Sequence, residues 1–192
     1  MSDLSNGLFK DGISHSGVAV NAWVMMENGR EKAHMVAAFV KCPYNDHKEM
    51  LSCLKKIPVE ELLEITKNFQ PFLYNPFSPF GVIVEPHHEN AFISEHPQRI
   101  LESGKFKKLP WLLTQVKDEG SYPTAEFYRD ENTLKEIDER WEDIAPFLLD
   151  YYGLTNNEIA LAESSRIIKK FYMEDETISR KSFQKFNDVS FL

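Results

Sequence analysis

The sequence has no excess of basic charge. Its 22 Lys and Arg stand against 30 Asp and Glu, giving −8 with histidine neutral. A general nucleic-acid binder neutralises phosphates with a basic surface, so that class is excluded as the expectation. No apolar run approaches the ~20 residues that a membrane-spanning helix needs. Residues Met1 to Lys10 show neither the basic start nor the apolar stretch of a signal peptide, and read as a loop already inside a fold. Cysteine is scarce: Cys42 and Cys53 allow one disulfide or none. No internal repeat and no low-complexity tract occurs. What is present is 42% hydrophobic and 12% aromatic residues in a chain of 192, enough for one domain with a real core.

Strand signals are few and short. Asp11–His15, Phe80–Glu85 and Leu109–Val116 are the candidates, the last ending in the turn-forming Lys117-Asp-Glu-Gly120. Helical signals are stronger. Glu31 to Val40 puts Ala33, Val36, Ala37 and Val40 on one face, and Asn45 to Lys55 gathers Met50, Leu51 and Leu54. Pro58 opens a third helix where its missing N–H costs nothing, with Glu60 and Glu61 at the positive end of the dipole. Pro97 to Leu101 is a short helix stopped by Gly104. Thr133–Glu136 and Thr155–Glu158 match the capping box and predict helices to about Leu149 and Phe171. A last helix starts near Ser179. Strands separated by long helical excursions predict an α/β protein with parallel strands.

Four stretches invite a chemical reading. Phe69–Gly81 holds three prolines and five aromatic rings, so it is no regular helix. It is either a surface loop whose rings tuck into the core or the aromatic rim of a ligand cleft. Glu85, His87, His88, Glu89 and His96 resemble a metal cluster, but adjacent residues on an extended chain point to opposite sides, so no metal is expected. Gly12–Gly17 resembles a nucleophile elbow, which needs glycine two before and two after its serine; neither Ser14 nor Ser16 has both. Lys117–Tyr122 follows the best strand, and carboxylates at the C-terminal end of a parallel strand sit where α/β proteins place their chemistry. The alternative is a solvated turn with two acids.

Taken together, the motifs resemble a known family. Gly7-Leu-Phe9, Ile13-Ser-His-Ser-Gly17 followed by Trp23, Cys42 with Cys53-Leu-Lys55, Phe72–Phe77, Phe80-Gly81, Ser103–Lys107 and Lys117–Gly120 occur in the order found in type-B carboxylesterases. These are the cholinesterase-like branch of the α/β-hydrolases, and the insect carboxylesterases are the most similar. The resemblance weakens beyond Tyr172. It implies a partial α/β-hydrolase fold, with residues 1–192 as the middle portion of one carboxylesterase domain. It also implies a Ser-Glu-His triad whose acid matches Glu119, with Ser16 at the position that supports the acid by hydrogen bonding. Trp23 matches an acyl-pocket position, and Phe77 and Phe80 fall in the stretch that lines the substrate gorge in relatives. Cys42 and Cys53 match a family disulfide. No cofactor is implied. The implied ligand is a small-molecule ester, and the implied location of the parent protein is secreted or the ER lumen, with the cytoplasm as the alternative.

Two departures bear on activity. No Gly-x-Ser-x-Gly elbow occurs in the chain, and no histidine follows His96, whereas the family order runs Ser, Glu, His. The chain therefore carries one triad member and is expected to be an inactive internal fragment of a larger esterase. The alternative is a segment of a catalytically dead, cholinesterase-like binding or adhesion module.

Overall fold

The computed structural model describes residues 1–21, 23–174 and 176–190. Gly12–His15 forms strand β1 and Trp111–Thr114 forms strand β2. They pair in parallel, Gly12 opposite Trp111 and His15 opposite Thr114. The pairing has a local cause. A Cβ on Gly12 would stand 2.6 Å from the Trp111 ring, so only glycine lets the indole lie across β1, where Nε1 donates to Ser14 Oγ at 2.9 Å. At the other end the His15 ring meets Thr114 Oγ1 at 2.5 Å.

Parallel neighbours need a long crossover. It contains α1 (Gly29–Phe39), α2 (His47–Leu54), α3 (Val59–Glu64), the aromatic segment and α4 (Pro97–Ser103). Their ends follow capping rules. The Asp46 carboxylate accepts from the amides of Lys48 and Glu49, and Gly104 ends α4 in the left-handed region at φ 68°. Pro58 is the residue before α3 rather than its first helical position. Ala37, Val40, Cys42 and Met50 form a first core, closed by the Cys42–Cys53 disulfide with a Cα–Cα distance of 5.7 Å.

Beyond β2 come α5 (Ser121–Phe127), α6 (Glu131–Glu139), α7 (Trp141–Leu148), α8 (Glu158–Met173) and α9 (Phe183–Val189). Phe127, Leu134, Ile137, Trp141, Ile144, Met173, Phe186 and Val189 make a second core, to which the aromatic segment adds Phe72. The Trp141 indole N–H donates to the Ser165 carbonyl at 2.6 Å and ties α7 to α8. Pro146 lies inside α7 and lacks the N–H that would meet the Glu142 carbonyl; the Ser165 hydroxyl stands 3.4 Å from that carbonyl.

Four expectations need correction. Phe80–Glu85 is not a strand: it makes one isolated parallel bridge, Met25 to Val82, and the prolines at 76, 79 and 86 interrupt any longer ladder. Thr133 does not cap a helix, because Asp130 already caps α6 and accepts from the Asn132 amide at 3.0 Å. Asn157, not Thr155, caps α8. The expected single helix to Leu149 breaks at Arg140, where α6 ends and α7 begins. The parallel pair with helical excursions is compatible with part of an α/β-hydrolase fold. No helix among the described residues is long and apolar enough to cross a membrane.

Candidate functional site

Both strands run toward one edge of the sheet, and two predicted site residues lie just past it. Ser16 follows β1 directly, with φ 55° in the left-handed region, and its amide donates to the Thr114 carbonyl at 2.8 Å. Glu119 follows β2 after a short turn. Its Oε1 accepts from the Val116 amide at 3.2 Å, folding the carboxylate back toward the strand it came from. Among the described residues no hydrogen bond joins Glu119 to Ser16; they share an edge of the sheet.

The acid's turn is gripped from below. A Cβ on Gly120 would stand 2.1 Å from the Asn187 carbonyl oxygen, so the backbone of α9 lies directly against the turn. The Thr124 hydroxyl lies 2.8 Å from the Gly120 carbonyl and 3.1 Å from Asn187 Oδ1, and both Thr124 and Asn187 are buried. Glycine is the one residue that fits there. The sequence shows the glycine, but its neighbour lies far along the chain and carries no local signal.

The aromatic segment links this turn to a cleft. Phe77 packs edge-on against Tyr74 and against Tyr122 in the first turn of α5, with ring centroids 6.1 and 6.3 Å apart. The Tyr74 hydroxyl bonds to the Glu126 carboxylate, and burial followed by that bond pushes the phenol up to about 12. Phe80 packs edge-on against Phe69 at 4.9 Å. The cleft, about 250 Å³, is lined by Trp23, Met25 and Met26 and by the neighbouring Ser78, Pro79 and Gly81. Trp23 therefore faces the cleft, whereas Phe77 and Phe80 flank its rim residues without lining it. Ser16 and Glu119 do not line it either.

At the back of the cleft stand Lys32, Asp150 and Tyr152, which the sequence reading missed. Burial lowers the Lys32 ammonium against the opposing pull of Asp150, and burial raises the Asp150 carboxyl to about 6 against the opposing pull of Lys32. An acid directly after the apolar run Phe147-Leu-Leu149 is the one available sequence signal. The histidines have local work. The His88 ring accepts from the Asn90 amide, His87 meets Ser94 Oγ at 3.3 Å, and His96 caps α4 by accepting from the Gln98 amide at 3.2 Å. Among the described residues no group of three or more His, Cys, Asp or Glu is gathered where it would hold a metal.

A parallel strand pair with an acid-bearing turn past its C-terminal ends, wrapped in long helical excursions, defines an α/β protein. The model of the carboxylesterase family matches residues 1–191. The chain belongs to the carboxylesterase family, in its insect type-B branch. It is 38% identical over 170 residues to a protein named venom carboxylesterase-6 from Apis mellifera, which covers 88% of this chain and 30% of that protein. It is 34% identical over 193 residues to esterase-5B from Drosophila persimilis, covering 95% of this chain and 35% of that one. It is 36% identical over 181 residues to a carboxylic ester hydrolase from Bombus ignitus, covering 93% and 31%. The chain thus spans about a third of the length of these relatives.

Proposed function

We propose that this segment supplies the acid of a Ser-Glu-His triad that hydrolyses carboxylic esters, with Glu119 as that acid. The observation that carries the reading is the seat of Glu119: a clamped turn just past the C-terminal end of a parallel strand, in a member of the carboxylesterase family. In such a triad the serine hydroxyl attacks the ester carbonyl while the histidine takes its proton. Glu119 holds the imidazole in one tautomer and stabilises the imidazolium as it forms. Ser16, at the same strand edge, supports the acid. Trp23 bounds the acyl side of the cleft, and Phe77 and Phe80 hold the rim. The serine and histidine are supplied by residues outside this segment, so the chain alone does not hydrolyse esters. The disulfide and the venom relative support a secreted or ER-lumenal parent protein, with a cytoplasmic one as the alternative.

The test is Glu119→Gln in a full-length carboxylesterase carrying this segment. The amide keeps a carbonyl oxygen for the Val116 N–H, so the turn is preserved. The expected loss is roughly 10³–10⁴ in kcat with little change in KM. An unchanged kcat overturns the assignment. A wild-type protein that never reacts with an organophosphate probe points instead to a dead, adhesion-type module.

A further inference from the structure

We infer that Lys32 is a positioning residue that fixes the Ser78–Gly81 side of the cleft and so sets the size of acyl group admitted beside Trp23. The part concerning the acyl group rests on the esterase reading above. Lys32 is half-buried on α1 and its ammonium reaches two other parts of the chain. It donates to the Pro79 carbonyl at 2.5 Å and to the Tyr152 hydroxyl at 2.7 Å. The ammonium lies 5.1 Å from the Tyr152 ring centre, at the hydroxyl end, so the contact is a hydrogen bond more than a cation–π stack. All three segments line the same cleft.

The far anchor is firm. Tyr152 stacks on Phe147 with centroids 5.2 Å apart, and the Asn28 amide lies 3.4 Å from the Gly153 carbonyl. The near side is not. Interrupted by prolines, residues 78–82 make no strand. Besides Lys32 they are fastened by the Phe80 ring edge-on against Phe69, with centroids 4.9 Å apart, by the Val82 amide to the Val24 carbonyl at 2.9 Å and by the Met26 amide to the Val82 carbonyl at 2.7 Å. A Cβ on Gly81 would stand 2.7 Å from the Val24 carbonyl, so the two segments lie backbone against backbone there. At Pro79 itself the bond from Lys32 is the contact that joins the segment to α1. A charged donor in a half-buried place makes a stronger bond than a neutral one, which suits a tether at Pro79.

Lys32→Met keeps the apolar stem and removes the donors. In the 192-residue chain, amide exchange at Val82 and Met26 should accelerate by about tenfold while the amides of α7 and α8 hold their wild-type rates. In a full-length carboxylesterase carrying this segment, the same variant should raise the ratio of kcat/KM for 1-naphthyl butyrate over 1-naphthyl acetate by about fivefold, through KM rather than kcat. Unchanged exchange at Val82 and Met26 overturns the inference. So does acceleration spread equally over α7 and α8, which makes Lys32 a general support, and so does an unchanged ratio in an active enzyme. A wild-type protein that cleaves neither ester refutes the esterase reading instead, and the exchange measurement still decides the tether.

Discussion

Asp150 is held in the left-handed region at φ 56°, partly buried beside Lys32, with its carboxyl raised to about 6. The ordinary value is 3.8, so the folded chain holds this proton more tightly than the unfolded chain does. Stability from this group is therefore complete below about pH 4 and is lost as pH rises through about 6. Asp150→Asn tolerates the same backbone and carries no charge to desolvate. It should stabilise the chain by about 1 kcal/mol at pH 7.5, a value discounted for partial exposure, and the gain should vanish near pH 4. Denaturant melts of both proteins at the two pH values check this; a gain that persists at low pH contradicts it. Gly120 makes the companion point about reading a residue from sequence. The glycine was visible beside Glu119, but the reason for it, the Asn187 carbonyl, comes from a helix that the sequence does not connect to it.

The α1 and α2 pair is small, and Ala37, Val40, Cys42 and Met50 are its whole buried set among the described residues. The Cys42–Cys53 bridge spans a sequence separation of 11, and closing a loop of that size stabilises by about 3 kcal/mol through the unfolded chain. Replacing both cysteines with alanine should lower the unfolding free energy by about that amount, read as a lower denaturant midpoint with m raised, because the unfolded chain without the loop is less compact. Most elements of this kind were legible because their signals are local. Gly104 stops α4, Asp46 caps α2, and the apolar spacing of residues 31–40 marks α1. The errors arose where two local signals compete or a distant one decides. Asp130 takes the cap from Thr133, and the break at Arg140 ends α6. Val82, in a segment that reads as a strand, pairs at a single bridge. Glu119 and Ser16 are singled out by family motifs, whereas Lys32 and Asp150 meet only through tertiary packing.

Parallel sheets are normally covered on both faces. Here Ile13, Leu112 and Leu113 are 62%, 55% and 63% exposed, so the strip that bears the site edge is also an apolar surface. The 192-residue chain should bind a hydrophobic dye such as ANS in its folded state. Leu113→Lys should weaken that binding measurably without shifting the melting midpoint by more than about 0.5 kcal/mol equivalent, as expected at an exposed position. Dye binding unaffected by the substitution would move the apolar surface elsewhere.

The contact between Gly120 and Asn187 also bears on biosynthesis. A nascent chain leaves the ribosome N-terminus first, so the acid's turn emerges well before the helix that seats it. Until α9 emerges, the turn has its local bonds, such as the one from the Val116 amide to Glu119, but Gly120 lacks the Asn187 backbone that packs against it.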